Sequence, residues 1–403
     1  MNWKSILRQW LHQDHVVVAL MAMAVVGVIT FVTFNVSFLN PVEQMIGNMK
    51  FTDLYTKVKN FHAEPDTSRF VTIVDMSDLY NRGDIADLLS TVARQRPRAV
   101  GVDLLFEGER DDVEGNVRLI TTVDSLRPLL VMGTKLTGYD ARSATFTATS
   151  RSYVDEVVDS LDEGFVNLED DMQHGIIRDC RSGMSLTGHQ GLMPSLPAAT
   201  LQRFGIFVPL RNKPMLIDFS PTVFPVVRAD SVALKPQLFK NRMVIVGAYR
   251  EETDQHLTPL GKMSGVELHA YALHTLMNQR EVHDAPLWAN LLAAFLTCYL
   301  LAVLIEMSER RDERHKPSPL RIFLDESEWL KGGIVLLMAL AVTCIMHWIF
   351  EQHGLYINAL LVLASMAFVV QAHDTYMALI KAIAVRHPHN WWVRRSLAMR
   401  DER

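Results

Sequence analysis

Cysteines are scarce in this sequence, with three in 403 residues, and their positions limit the cross-links the chain can form. Cys298 and Cys344 lie in long apolar runs, and Cys180 stands alone in the region between the first two of those runs. A lone cysteine cannot form a disulfide within its own domain, so that region must be stabilised by its apolar core. The net charge of −5 gives no basic footprint for nucleic acid, and no nucleic-acid partner is expected.

The short motifs of the common enzyme classes are also absent. The sequence contains no G-x-S-x-G elbow, no P-loop and no kinase motif set, so we assign no catalytic residue and do not expect an enzyme. His256, His269 and His274 do not have the spacing of a zinc motif such as H-E-x-x-H. No metal site and no cofactor is therefore expected.

Long apolar runs are present in four places, residues 16–38, 287–305, 332–350 and 355–372. About 20 apolar residues in a helix cross the hydrocarbon core of a bilayer, so we predict four transmembrane helices. The first run is longer than the core of a cleaved signal peptide, and no small-residue cleavage site follows it. We expect it to remain as an anchor.

The positions of Lys and Arg near the apolar runs predict the orientation. Residues 1–15, the 306–331 loop and the 373–403 tail carry these basic residues, whereas the 351–354 turn has none. We therefore predict that both termini and the 306–331 loop are cytoplasmic. Residues 39–286 are expected on the far side of a bacterial inner (plasma) membrane, in the periplasm or outside the cell.

Residues 39–286 alternate between short apolar runs and helix-like patterns, which predicts βαβ units. Strands are predicted at residues 70–75, 99–106, 129–133, 164–168, 215–219 and 243–247. Helices are predicted at residues 83–95, 113–126, 196–204 and 266–278. The predicted fold class is an α/β domain with a largely parallel sheet and helices on both faces, together with four transmembrane α-helices.

Several segments of this region resemble one family of bacterial proteins. They are VTIVDMSDL (71–79), RPRAVGVDLLFE (96–107), GFVNLEDDMQHGIIRD (164–179), MPSLPAATLQRFG (193–205) and the long stretch from residue 243 to 278 with its D-x-x-x-T-P loop and G-V-E-x-H-A helix. Their order and spacing are similar to those of the CHASE2 family of extracytoplasmic sensory domains. The resemblance implies a sensory domain placed after one membrane helix and before three more. Family members usually feed a cytoplasmic output domain, and we expect none in the loop or tail of this chain.

Acidic residues follow three of the predicted strands. Asp75 and Asp103 lie at or near the ends of two strands predicted to be adjacent and parallel, and Asp254 follows the strand that ends at Gly247. The carboxyl edge of an open α/β sheet is where ligands bind, so these residues are candidates for a ligand site. The alternative is that they cap helices or form ion pairs with Arg82 or Arg250.

Three further residues complete the candidate ligand-binding set. Asp171 and Arg178 lie in a turn around Gly175 and could pair across it. This turn departs from the family pattern at His174, where an Asp is usual, which puts a shared ligand in doubt. His269 lies on the predicted 266–278 helix, and its side chain type changes charge near neutral pH.

These observations lead to two hypotheses about function. The first is a membrane-anchored sensor that binds a small molecule, ion or envelope protein outside and relays the change to a separate cytoplasmic or membrane partner, with a homodimer as one possible form. The second is a structural or scaffolding subunit of a cell-envelope complex. A polar pocket at the strand ends favours the sensor, and a large exposed apolar patch favours the scaffold.

Overall fold

The computed structural model describes residues 10–35, 53, 56–57, 60–61, 64–108, 110–150, 152, 154–170, 175–278, 283–313 and 329–401. The chain divides into two compact units. One unit is Thr52–Glu281, and the other consists of Met1–Phe51 together with Val282–Arg403. They are called here the α/β unit and the helical unit.

The helices are numbered in chain order through both units. The described α-helices are α1 (Gln13–Asn35), α2 (Arg82–Arg94), α3 (Val113–Leu126), α4 (Val154–Val157), α5 (Leu196–Phe204), α6 (Gly265–Asn278), α7 (Leu287–Glu313), α8 (Trp329–His353), α9 (Ala359–Ala367), α10 (Val369–Arg386) and α11 (Trp391–Asp401). Short 3-10 helices occupy Ala229–Leu234, Pro236–Leu238 and Glu252–Asp254.

The strands are numbered in the same way. They are β1 (Asp66–Thr67), β2 (Val71–Asp75), β3 (Ala99–Val102), β4 (Leu130–Asp140), β5 (Thr145–Ser150), β6 (Asp162–Phe165), β7 (Glu169–Asp170), β8 (Ile177–Cys180), β9 (Gly183–Leu186), β10 (Leu192–Pro194), β11 (Met215–Leu216), β12 (Thr222–Val223), β13 (Val226–Arg228), β14 (Met243–Gly247), β15 (Gln255–Thr258), β16 (Gly261–Ser264), β17 (His283–Asp284) and β18 (Leu355–Tyr356).

A parallel core sheet organises the α/β unit, which confirms the predicted fold class for this part of the chain. Its strands run in the order β4-β3-β14-β2-β13, with β6 also paired in parallel to β4. The far half of β4 pairs antiparallel with β5, β5 pairs in parallel with β9, and β9 pairs antiparallel with β10. Ile245 of β14 pairs with Ile73 on one side and Gly101 on the other.

The position of β14 corrects one expectation. The strands that precede Asp75 and Asp103 were predicted to be adjacent, but β14 lies between them and pairs with both. In a parallel sheet the connections between strands cross over the faces of the sheet. A strand that comes late in the chain can therefore insert between two earlier strands. Asp75 and Asp103 are therefore two strands apart, with the end of β14 between them.

Helices cover both faces of the core sheet, as expected for buried parallel strands. On one face Val74 and Val246 pack with residues of α2 and α3 such as Leu89 and Leu119. On the other face Ile73 and Ile245 pack with α5 and α6. Each strand thus divides its apolar side chains between two cores, which explains why the strand sequences are apolar without strict alternation.

Local sequence explains where the helices begin and end. Asn81 caps α2 by accepting a hydrogen bond from the Asp84 backbone N–H at 2.7 Å. Ser195 caps α5, and that helix ends at Gly205, whose φ of +99° suits the left-handed position after a helix. The predicted helices 113–126 and 196–204 are confirmed with identical bounds, and 83–95 and 266–278 are confirmed to within one residue.

Some predicted strands have different lengths in the structure. The strand predicted at residues 99–106 ends at Val102, so Asp103 follows it directly. The strand predicted at 129–133 extends to Asp140, because β5 pairs with its second half. The strand predicted at 215–219 is only two residues long, at Met215–Leu216, where it pairs with β8.

In the helical unit, three described helices are long and apolar enough to cross a membrane: Gln13–Phe31, Leu287–Glu309 and Trp329–Phe350. A fourth span is present if α9 and α10, which meet at a bend of 42°, are counted as one. The fourth span was predicted to start at Leu355. Instead Leu355–Tyr356 forms a strand paired with His283–Asp284, and the helix starts at Ala359, capped by Asn358.

Candidate functional site

Asp75, the last residue of β2, is 2% exposed and fully engaged. Its carboxylate accepts hydrogen bonds from the Ser77 hydroxyl at 2.5 Å, the Ser77 backbone N–H at 3.0 Å and the Arg250 Nε at 2.5 Å. Burial alone raises the pKa of a carboxyl, but these bonds from Ser77 and Arg250 reverse that effect and lower the pKa of Asp75. The geometry matches the ion-pair alternative for this residue.

Arg250 extends this network towards solvent. Its Nη2 lies 2.5 Å from the Asp78 carboxylate, and Arg228 Nη2 also reaches Asp78 at 3.1 Å. Arg82, the other arginine that the sequence suggests as a partner, instead donates a hydrogen bond to the Asn116 side chain at 2.7 Å. Asp75 and Arg250 therefore fix the loop after β14 to the end of β2.

Asp103 has a different environment, one residue beyond β3. Its Oδ1 lies 3.7 Å from Nε2 of His269 on α6, and the two side chains are 16% and 4% exposed. Burial raises the pKa of Asp103, and the nearby Asp254 charge raises it further, whereas His269 and His256 act in the opposite direction. Asp103 is thus an acid whose ionised form is disfavoured, held beside an imidazole.

Asp254 and His256 form the outer part of the same cluster. Asp254 Oδ1 lies 3.3 Å from His256 Nε2, and these side chains are 39% and 35% exposed. Asp254 Oδ2 accepts a hydrogen bond from the Gly265 backbone N–H at 3.3 Å, at the start of α6. The cluster of Asp103, His269, Asp254 and His256, called here the strand-end cluster, therefore runs from a buried pair to a half-exposed pair.

Close packing at β14 brings this cluster together. A Cβ added to Gly247, the last residue of β14, would lie 3.1 Å from Val266 and 3.3 Å from the Asp103 Cβ. Glycine at this position lets the first turn of α6, which carries Val266, approach the end of the sheet. His269 lies one turn further along α6, which places its imidazole beside the Asp103 carboxylate.

Two residues at this edge were missed in the sequence. The Tyr249 hydroxyl bonds to the Glu267 carboxylate, and burial raises the pKa of both groups; the hydrogen bond from Tyr249 partly offsets that rise for Glu267. Glu267 belongs to the G-V-E-x-H-A segment, but its burial depends on how α6 packs. Only the three-dimensional arrangement reveals it.

Arg178 has a partner, Asp53, that the sequence did not suggest. On β8 it pairs with Asp53, with Nη2 to Oδ2 at 2.8 Å and Nε to Oδ1 at 3.0 Å. Asp171, the partner suggested by the sequence, lies outside the described residues. Gly175 has a φ of +63°, as its turn position predicted. The structure therefore places Arg178 in an ion pair near the start of the α/β unit.

A cavity of about 570 Å³ lies elsewhere in the α/β unit. Its lining includes Glu163 at β6, His189 after β9 and Gln202 of α5, and it includes none of the strand-end cluster. The start of β6 is at the edge of the sheet opposite to its carboxyl ends. The cavity and the strand-end cluster are therefore separate features.

Metal-ligand geometry distinguishes the two units. Within the described part of the chain, one set of three His, Asp, Glu or Cys side chains has ligand atoms within 4.8 Å of one another, and it is Glu306, Glu309 and His373 of the helical unit. The strand-end cluster does not meet this criterion. Its spacing suits hydrogen bonding and charge compensation better than direct coordination of one ion.

Comparison with known protein families gives a match for most of the chain. The family model described as CHASE2 domain matches residues 21–305, which is more than half of the 403 residues. The matched range contains the whole α/β unit, α1 from Met21 onward and most of α7. No curated protein and no solved structure matches the chain.

Proposed function

Since this chain belongs to the CHASE2 family, whose domain is an extracytoplasmic sensory domain, we propose that it is a membrane-anchored signal-input protein. In this proposal the α/β unit senses a ligand or the state of the envelope. The helical unit anchors it in the bacterial inner membrane with both termini in the cytoplasm. A separate cytoplasmic or membrane protein receives the signal, and no catalytic activity is assigned to the chain itself.

The observation that carries the proposal is the strand-end cluster. Asp103 and Asp254 repel each other, and burial disfavours the charge on Asp103. A cationic group placed beside them would offset both effects, because opposite charge favours the ionised form of a carboxyl. The half-exposed Asp254 and His256 give solvent access to the cluster. We therefore propose a small cationic ligand.

The helix α6 offers a route for the response. His269 lies on it beside Asp103, Asp254 binds its first backbone N–H, and α6 is followed in the chain by α7, the first apolar helix after the sensory domain. A ligand that alters the Asp103–His269 contact would change the packing of α6. It can transmit a signal only if it binds two conformations with different affinity.

The test uses the intact protein in lipid nanodiscs. A panel of small cationic metabolites and polyamines is titrated by calorimetry against wild type, Asp103→Asn and Asp254→Asn. Asp230→Asn is the control, because Asp230 is an exposed aspartate with a side chain that is 70% exposed. Saturable binding that falls at least about tenfold in the first two variants and not in the control supports the site. Absence of saturable binding, or equal binding by all four proteins, contradicts it.

The scaffold hypothesis makes a different prediction about partners. A structural subunit should purify from native membranes with envelope proteins that have no regulatory activity. A sensor should purify with a regulatory enzyme. The two functions are therefore separated by partner identity, whatever the outcome of the ligand titration.

A further inference from the structure

The helical unit contains a buried polar group that the sensory proposal does not use. Glu306 and Glu309 lie one turn apart on α7, and His373 lies on α10, which packs against α7. Glu306 and His373 are 6% and 3% exposed. Burying a carboxylate and an imidazole in an apolar unit is costly unless their polar atoms are bound, so the arrangement requires an explanation.

The two ring nitrogens of His373 have different partners. Nε2 lies 3.1 Å from Glu306 Oε2, and Nδ1 lies 3.3 Å from Asp374 Oδ1. Histidines that bind a metal through one nitrogen usually donate the other N–H to a carboxylate, which fixes the ring and its tautomer. Asp374 is placed for that supporting role, and it leaves Nε2 facing Glu306.

The distances are close to those of a coordination shell. Ligand atoms of Glu306, Glu309 and His373 all lie within 4.8 Å of one another. Zinc binds oxygen and nitrogen ligands at about 2.0–2.2 Å, so tetrahedral ligand atoms are about 3.4 Å apart. The separation of 3.1 Å between Glu306 Oε2 and His373 Nε2 already fits. Glu309 Oε1 lies 3.9 Å from the other ring nitrogen, Nδ1, so the Glu309 carboxylate has to turn towards Nε2 to complete the set.

Lys331 competes with a metal for Glu309. Its Nζ lies 3.0 Å from Glu309 Oε1 and 3.2 Å from Asp374 Oδ1. Glu306, Glu309 and Asp374 thus supply three carboxylates close to the Lys331 ammonium and the His373 imidazole. On metal binding, Lys331 can leave Glu309 and keep its contact with Asp374.

From this geometry we propose that Glu306, Glu309 and His373 form a binding site for a divalent transition-metal ion of the zinc or manganese type. One nitrogen and carboxylate oxygens suit such ions better than calcium or magnesium, which prefer oxygen alone. Three protein ligands leave room for water in the remaining position. Bound metal would join α7 to α10 and fix the packing of these helices.

The test measures metal binding by the full-length protein in lipid nanodiscs, after a chelator has removed bound ions. Co²⁺ serves as a spectroscopic probe for the zinc-like ion, and Zn²⁺ affinity is measured by its displacement. One ion per chain is expected, with visible absorption typical of mixed nitrogen and oxygen ligands. Glu306→Gln and His373→Ala should weaken binding at least about tenfold. Lys331→Gln should bind more tightly, because the competing ammonium is gone.

Two further variants control for non-specific metal binding and for loss of folding. His389→Ala removes an exposed histidine of the same unit and should leave binding unchanged. Glu309→Gln alters the most exposed of the three ligands, with a side chain 30% exposed, so it reports on binding if the buried variants fail to fold. The proposal is overturned if the wild type shows no stoichiometric binding. It is equally overturned if Glu309→Gln and Lys331→Gln both bind as the wild type does.

Discussion

At the scale of residues, two aspartates at one edge of the sheet have opposite electrostatics. Asp75 accepts hydrogen bonds from Ser77 and Arg250, and its pKa is lowered. Asp103 has an imidazole at 3.7 Å, a second carboxylate nearby and little exposure, and its pKa is raised. The surroundings of Asp75 stabilise the ionised carboxylate, whereas those of Asp103 destabilise it. This contrast assigns Asp75 to the fold and Asp103 to the candidate site.

Neutral replacements should therefore have opposite effects on stability at pH 7. Asp75→Asn removes the charge from bonds to Ser77 and Arg250 and should lower the free energy of unfolding by about 2 kcal/mol. Asp103→Asn removes a charge that the fold disfavours and should raise the unfolding temperature. Thermal unfolding of the intact protein measures both. A loss of stability in Asp103→Asn as large as that in Asp75→Asn would contradict the account.

The pH dependence of stability should separate the same two residues. Asp103 has a raised pKa in the folded state, so its protonation stabilises the fold at low pH, and this contribution is lost as the pH rises through the folded pKa. For Asp75, with its lowered pKa, the stabilisation is present above the unfolded value of about 3.9 and is lost as the pH falls through the folded value.

The pH dependence of the unfolding midpoint tests the contribution of Asp103. As the pH falls towards the ordinary aspartate value of about 3.9, the wild type should gain stability through protonation of Asp103, and Asp103→Asn should lack that part of the gain. Unfolding midpoints recorded at matched ionic strength give the comparison. Identical pH profiles for the two proteins would show that Asp103 does not titrate differently in the folded and unfolded states.

At the scale of elements, the sequence predicted the helices well and the order of strands less well. The 113–126 and 196–204 helices follow from local spacing and caps such as Ser195. The insertion of β14 between β2 and β3 depends on pairing between residues far apart in the chain, which local patterns do not encode. The same limit explains Arg178, whose partner Asp53 is 125 positions away.

The candidate site was predictable to a similar extent. The ends of strands identified Asp75, Asp103 and Asp254, because the carboxyl edge of a parallel sheet is a general binding location. The pairing of Asp103 with His269 and the burial of Glu267 depend on the approach of α6 to Gly247, which only the packed structure shows. The sequence therefore identified which residues could form the site, but it did not show which of them are buried or paired.

Close packing of α5 on the sheet gives a prediction for Gly101. A Cβ at this position would lie 2.7 Å from Thr200 Oγ1 and 3.0 Å from Ile245 Cδ1, so Gly101→Ala should destabilise the α/β unit by about 1–3 kcal/mol. Gly83→Ala is the matched control, since its nearest atoms are 3.5 Å away and it lies in α2, where alanine is favoured. Chemical denaturation should show a loss for the first variant and little change or a gain for the second.

At the scale of the whole molecule, three apolar helices and one bent pair accompany a CHASE2 domain. The distribution of Lys and Arg predicts that the termini lie in the cytoplasm and the α/β unit on the other side of the membrane. Each unit has its own apolar core, formed by separate sets of residues. This organisation agrees with the proposal that the α/β unit is the sensory unit and the helical unit is the membrane anchor.

The topology can be tested by cysteine labelling in a background without the three native cysteines. Asp230→Cys, in the α/β unit, should react with a membrane-impermeant maleimide in intact spheroplasts. His389→Cys, in the tail, should react only after permeabilisation, and both positions are exposed. Labelling of the tail position before permeabilisation would reverse the predicted orientation.

The central claim, that this chain supplies an input to a separate regulatory protein, is tested most directly by its partners. The intact protein is purified by affinity from native membranes, as wild type and as Asp103→Asn, and the co-purifying proteins are identified by mass spectrometry. The account predicts recovery of a cyclase, kinase or other regulatory enzyme, in an amount that the substitution changes. Recovery of envelope structural proteins alone, or of no specific protein, would contradict it.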